Sequence, residues 1–345
     1  MDDLSKALIE IYTAAQQSII DIIIEKEAKG NVTTYQKSLF VQIQEILVKL
    51  DKSAWQWSND TVETLYWQSV KDVNDYFDIT SFSKLNTAAI DILAKNTYTK
   101  LNSANVYVGR RVEDEIRNAG LKAIAQKLTT GETVRQCKQN LVNSLIDKGI
   151  NGISDKNGRQ ISLDAYAATV AISTSAEVTN TATVQRMTNL DKDLVKMSEH
   201  ATTCPICSTY QGRVYSISGK DARFPPLNTV PGFSSGFSNI HCRCKHRVLP
   251  YVEDLATDFE GDLKDSNRSF EISDKDKKNI DAYQKQQATQ RQFLQDKNQW
   301  QRYRLALGDD VPKTFSAFRR MKIGNTEKFQ ELQSSYRSLR QGGEG

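Results

Sequence analysis

The chain has 345 residues, 39% of them hydrophobic and 26% charged, with a formal net charge of +4. That length is enough for two or three domains with a sizeable core. No apolar run reaches the length of a membrane span, so no membrane partner is expected. The opening MDDLSKALIEIY is acidic and amphipathic, unlike a secretory signal. The five cysteines are spaced as for a metal and fit a reducing, cytosolic place of synthesis.

Residues 4–27 carry Leu4, Leu8, Ile11, Tyr12, Ala15, Ile19, Ile22 and Ile23 at the spacing of an amphipathic helix. Gly30-Asn31 ends it, and Thr33 or Thr34 can cap a second helix bearing Tyr35, Leu39, Ile43, Ile46, Leu47 and Leu50. Asp60 with Glu63 resembles a capping box and starts a third, with Val62, Leu65, Tyr66, Val70, Val73 and Phe77. A fourth is expected over about 83–102, a fifth over about 110–128 with a stop at Thr129-Thr130-Gly131, and a sixth over 132–148. Residues 1–149 therefore read as an N-terminal helical array with short connections. Its stripes can pack on one another. The nearly unbroken aliphatic run at 19–24 exceeds what a short array readily buries, and a partner protein is expected to cover it.

Residues 150–195 form a connecting helical segment. A turn at Asp155-Lys156-Asn157-Gly158 leads into a helix ending near Leu190 that is rich in Ala, Thr and Ser. Small side chains permit close helix packing; an exposed polar face is the plainer reading. Cys137, far from the other cysteines in sequence, reads as an inert small hydrophobe.

From Leu194 the period changes to that of short strands, LVKMSEH and GRVYSIS, which frame a Cys-x2-Cys knuckle. All three histidines (His200, His241, His246) and four of the five cysteines (Cys204, Cys207, Cys242, Cys244) lie between residues 200 and 246. Zinc takes four sulfur or nitrogen ligands in a tetrahedron, and two short pairs joined by a loop supply them. Cys204, Cys207, His241 and Cys244 are the best four, because both pairs then have the same x2 spacing. His246 competes for the fourth place, Cys242 adjoins His241 and is badly placed to share its ion, and His200 is either an outer group or a surface residue. A disulfide pair or buried free thiols are the alternatives. The window has little apolar mass, so a structural zinc is a physical reason for it to fold. Residues 196–252 are thus expected to be a small α+β zinc-binding module, closed by the strand around Val248.

The run SEHATTCPICSTYQGRVYSISGKDARFPPL, followed by NIHCRCKHRVLPY, resembles the phage minor capsid protein 2 family, related to the Mu F-like minor head proteins of tailed bacteriophages. His200, Cys204, Cys207, Gln211-Gly212-Arg213-Val214-Tyr215, His241, Cys244 and His246 fall on that family's pattern. Cys242 departs from it by replacing the usual proline. The likeness extends, more weakly, over most of the chain. It implies a structural protein of the virion head, synthesised in the bacterial host cytoplasm. Its implied partners are portal and capsid proteins, and its implied part is in head assembly and DNA packaging or ejection.

Residues 253–273 are acidic and expected to be a linker. Residues 274–345 hold 15 Lys and Arg against 9 Asp and Glu. This basic tail is expected to form two helices split at Gly308-Asp309-Asp310-Val311-Pro312, with a frayed end. Its charge fits a solvated helix surface or non-specific contact with packaged DNA. The expected fold is therefore mainly α: a helical array, the small α+β module and a helical tail.

No enzyme is expected. There is no H-E-x-x-H, no deaminase pattern, no P-loop and no G-x-G-x-x-G. A Cys242–His246 nucleophile pair is conceivable, but thiolates around zinc are poor nucleophiles. A zinc-dependent nucleic-acid-binding protein is the alternative, with Arg213, Arg223, Arg243, Lys245 and Arg247 as the side chains that could contact bases or phosphates.

Overall fold

A computed structural model describes residues 3–80, 86–125, 132–148, 153–154 and 160–341. The turn expected at 155–158, the stop at 129–131 and the frayed end beyond 341 lie outside them. The described chain is mainly helical. Helices α1 (Asp3–Glu25), α2 (Val32–Tyr76), α3 (Thr87–Ala125) and α4 (Glu132–Lys148) come first. A two-residue β-pair, β1 (Ile153–Ser154) with β2 (Gln160–Ile161), precedes α5 (Leu163–Asn189). Then follow β3 (Leu194–Met197), α6 (Pro205–Ser208), β4 (Val214–Ser216), α7 (Pro231–Ser234) and β5 (Val248–Pro250). Helices α8 (Phe259–Ser266), α9 (Asp274–Leu307), α10 (Phe315–Ile323) and α11 (Glu327–Gln341) complete the order.

The chain gathers into two compact units, each drawn from three segments. The first comprises Met1–Leu8, Ala54–Lys100 and Ala168–Ala288; the second comprises Ile9–Ser53, Leu101–Ala167 and Thr289–Gly345.

Two of the expected helix breaks do not occur. The second and third expected helices are one 45-residue helix, α2. Asp60 lies within it, because the polar residues before it bond back into the helix instead of capping a new one. Ser58 Oγ donates to the Ala54 carbonyl and Asn59 Nδ2 to that of Trp55. The fourth and fifth expected helices are likewise one, α3. The polar stretch around Asn102 and Asn105 looked like a break because both amides reach across to Asp51 Oδ1 on α2, at 2.8 and 3.3 Å. Gly109 lets the two helices approach: a Cβ there would lie 3.3 Å from Leu47 Cδ1.

In the second unit, Tyr12, Ile19, Ile20 and Ile23 of α1 are buried, as are Leu39, Ile43 and Leu47 of α2 and Val108 and Val112 of α3. The run at 19–24 is thus largely covered by the protein itself, which removes the premise that a partner must cover it. By length and composition α1 could cross a membrane, contrary to the count of contiguous apolar residues, but its apolar stripe is a core stripe here. Lys138 Nζ donates to the carbonyls of Ile24 and Lys26 at 2.6 and 2.8 Å, meeting carbonyls that the end of α1 leaves without helical partners. The C-terminal helices share a core of Trp300, Tyr303, Val311, Phe318, Phe329 and Leu332. The tail has a second break not expected from sequence, at Gly324-Asn325, where Asn325 takes φ +44°.

In the first unit, Val62, Tyr66 and Val70 of α2 pack with Leu93 and Ala94 of α3 and Val178 and Ala182 of α5. Beside them lies an antiparallel three-stranded sheet in the order β4-β3-β5, with Val195 opposite both Tyr215 and Pro250. One face buries Val195, Met197, Tyr215 and Val248 with Val73 of α2 and Met187 of α5. The other buries Leu194, Val214, Phe224 and Tyr251, with Phe259 and Leu263 of α8 packed on them. The stretch expected as an acidic linker therefore contributes a helix to the sheet, tied further by Lys196 to Asp262.

Candidate metal centre

The knuckle at Cys204 begins as a helix N-terminus. Cys204 is the N-cap of α6, its Sγ accepting the Cys207 backbone N–H at 3.3 Å, with Pro205 at the first helical position. The closing knuckle repeats the device: the His246 N–H donates to Cys244 Sγ at 3.4 Å. Between the knuckles the chain must double back tightly. Gly232 makes that fit, since a Cβ on it would fall 1.1 Å from the Asn239 carbonyl oxygen.

Three of the four expected residues, Cys204, Cys207 and His241, come together, and Cys244 meets Cys207. His241 Nε2 lies 3.2 Å from Cys204 Sγ and 3.0 Å from Cys207 Sγ, and Cys207 Sγ lies 3.6 Å from Cys244 Sγ. His246 joins from the other side, its Nδ1 3.5 Å from Cys244 Sγ. The donors form two triads, Cys204-Cys207-His241 and Cys207-Cys244-His246, with ligand atoms within 4.8 Å of one another in each. Cys207 belongs to both. Cys207, Cys244 and His246 are buried.

Both imidazoles are turned by their outer nitrogens. His241 Nδ1–H donates to the Cys242 carbonyl at 2.6 Å, which leaves Nε2 facing the sulfurs. His246 Nε2–H donates to Gln211 Oε1 at 3.1 Å, which turns Nδ1 toward Cys244. The same Gln211 oxygen accepts the His200 backbone N–H.

The protons are shared unequally. Hydrogen bonding from Cys207, followed by the His241 imidazole, brings the Cys204 thiol down to about 4 against the opposing effect of burial. Cys244 is also brought down to about 4, by Cys207 and then by His246, again against burial. Cys207 is pushed up by its two sulfur neighbours and by burial. His241 is raised to about 9, first by its bond to Cys204, then by its backbone bond. The cluster thus favours thiolates beside a cation, the charge pattern a metal ion would replace.

The donor types are those that zinc takes. Bonds of ~2.3 Å to sulfur and ~2.0 Å to nitrogen place tetrahedral ligand atoms roughly 3.5–3.8 Å apart. The pairs here, at 3.0–3.6 Å, come within about half an ångström of that. Cys204, Cys207 and His241 make one group, and Cys244 joins it through Cys207, on the side of His246. Bound there, zinc would cross-link the two knuckles.

The other candidates lie apart. Cys242 is exposed, with Sγ 3.5 Å from Ser173 Oγ on α5. With His246 engaged by Gln211 and Cys244, the conceivable Cys242–His246 pair is not formed. His200 packs edge-on to His246, ring centroids 4.6 Å apart, and its Nε2 lies 3.1 Å from Ser198 Oγ. Arg213, offered from sequence as a nucleic-acid contact, is 1% exposed. Its guanidinium donates to the carbonyls of Thr209, Ser266, Arg268 and Ser269 at 2.8–3.0 Å and lies over the Phe270 ring. Arg223 is paired with Asp221 and Glu253.

Residues 1–321 match the family model described as phage minor capsid protein 2. The chain belongs to that family. As a minor capsid family member it is a phage structural protein. It is also 27% identical over 149 residues to a "Structural protein" of Lactococcus phage LL-H, a match covering 41% of this chain and 39% of that relative. The chain thus aligns with less than half of the relative's length. No solved structure matches it. Gln211 orients the His246 imidazole and accepts the His200 backbone N–H, and Arg213 anchors the segment after α8. Tyr215 Oη donates to the Tyr210 carbonyl at 3.0 Å. Sequence reasoning missed the side chains of α5 that hold the closing knuckle. The available signal was Ser173 and Asn180, two turns apart on one face of a helix otherwise rich in small residues.

Proposed function

We propose that this chain is a minor head protein that acts at the portal or procapsid interior in head assembly and in DNA packaging or ejection. In this reading residues 196–252 form a rigid zinc-clipped module, with Cys204, Cys207, His241 and Cys244 as ligands and His246 as the outer histidine. The helical regions supply contact surface for portal and capsid proteins, and the finished protein resides in the virion after synthesis in the host cytoplasm. The family match over 1–321 carries the head assignment, and the convergence of the Cys204 and Cys207 sulfurs on His241, with Cys244 beside Cys207, supports the metal. His241 is preferred over His246 because its nitrogen meets two sulfurs instead of one.

The nucleic-acid alternative is not favoured, since Arg213 is buried and Arg223 is engaged by carboxylates. Tail contact with DNA is weakened in the same way. Lys322 and Arg319 are held by Asp296, Lys297 by Asp164, and Arg304 by Asp21.

Elemental analysis of unoxidised, full-length protein should give about one zinc per chain. Cys207→Ser should abolish it and Cys137→Ser should not, because Cys137 is buried away from the cluster with its thiol raised by burial to about 11. The full-length chain should co-purify with portal assemblies with or without a chelator. Loss of co-purification on chelation would make the metal module the docking surface instead of the helices.

A further inference from the structure

The closing knuckle is gripped by one face of α5. Asn180, 1% exposed, donates from Nδ2 to the carbonyls of Ser238 (2.8 Å) and His246 (3.4 Å). Its Oδ1 accepts the Val248 N–H at 3.0 Å. Two turns earlier, Ser173 Oγ accepts the Arg243 N–H at 2.9 Å, and Ser175 Oγ accepts from Arg247 Nη2 at 3.1 Å. The backbone held in this way is unusual. Ser238 and Arg243 adopt φ +48° and +63°, the left-handed region that residues with side chains disfavour. They bracket His241, and each is pinned by an α5 side chain. No α5 residue is among the metal donors.

We infer that Asn180, supported by Ser173, is a positioning residue of the metal centre. It holds the loop from Ser238 to Val248 in its left-handed path, so that His241 and Cys244 are presented to Cys204 and Cys207 before any ion arrives. This rests on the zinc reading above. Groups that orient ligands without touching the metal change affinity ~10–100-fold when removed, and a preformed loop loses less conformational freedom on binding.

The test uses the full-length chain with Asn180→Asp, Asn180→Ala and Ser173→Ala. Zinc affinity is read by competition with a chromophoric chelator, ligand geometry by the absorption bands of Co²⁺ in place of zinc, and stability by unfolding of the chelated protein. Asn180→Asp keeps the shape and the acceptor for Val248 but turns a carboxylate oxygen toward two carbonyls. It should lower zinc affinity ~10-fold or more and shift the Co²⁺ bands. Ser173→Ala, at a half-buried position and expected to fold, should lower affinity by a smaller factor. If every variant that folds binds zinc as tightly as the parent with unchanged Co²⁺ bands, and only the chelated protein is less stable, Asn180 is merely structural and the inference is overturned. If the parent itself takes up neither zinc nor Co²⁺, the zinc reading falls and this inference falls with it.

Discussion

Arg213 shows how a residue's meaning changes with its surroundings. In the sequence it is one cation in a short basic series. In the fold it donates four hydrogen bonds to carbonyl oxygens and lies buried against Phe270. Replacing it with methionine keeps apolar contact but leaves those carbonyls without their donor. We expect Arg213→Met to cost on the order of 3 kcal/mol in urea unfolding, since bonds to a charged donor are worth ~1.5–3 kcal/mol each and a hydrophobe recovers part of the loss. A shift under ~1 kcal/mol would mean that the carbonyls find water instead. The meeting of Cys204, Cys207 and His241 was legible because cysteine and histidine are scarce and short x2 spacings aim two side chains at one point. Arg213, Gln211 and Asn180 were not, because each serves a partner more than thirty residues away that no local pattern marks.

At the scale of elements, the apolar stripes were legible and the breaks were not. Asp60 with Glu63 has the chemistry of a helix start, yet α2 runs through it. An exposed mid-helix Asp60→Ala should therefore change stability by less than ~0.5 kcal/mol, whereas loss of a true N-cap costs about 1 kcal/mol. Thermal unfolding distinguishes the two. The clasp between α9 and α10 gives a prediction with a sign. Asp296 is 3% exposed; burial would raise its carboxyl, but Lys322, Gln292 and Arg319 outweigh that and hold it below the usual carboxylate value. A depressed folded value means stability that is full above the unfolded pKa of ~3.9 and lost as pH falls through the folded one. Asp296→Asn should cost about 2 kcal/mol at pH 7, less than the ~3–5 kcal/mol of a fully buried pair because both cations are partly exposed. The gap from the parent should narrow as pH falls through the folded carboxyl's lowered value. A gap independent of pH would assign the loss to packing.

Across the whole molecule, consecutive segments are the wrong unit of description. The first unit needs residues from before 101 and from 168–288 together, as the bond from Arg186 Nε to Asn74 Oδ1 illustrates. Stretches read in order as array, connector, module, linker and tail cannot reveal such sharing, since composition carries no information about which distant stripe meets which. A chain ending at 195 would keep the parts of α2, α3 and α5 that belong to the first unit but lose β4, β5 and α6 to α8, uncovering Val73 and Met187. Fragment 1–195 should retain far-UV helical signal, lose near-UV signal and be cut rapidly by protease. A protease-resistant, cooperatively unfolding fragment would show that its helices need no sheet.

The strand order carries a consequence for synthesis. β3 leaves the ribosome first yet lies in the middle of the sheet, so both of its edges are open when it emerges. β4 closes one soon afterwards. The other waits for β5, which begins two residues beyond His246. At ~5–20 residues per second the delay from the end of β3 is about 3–10 s. During that interval the nascent chain carries an unpaired edge and reactive thiols together. The same short stretch, once made, ends both exposures.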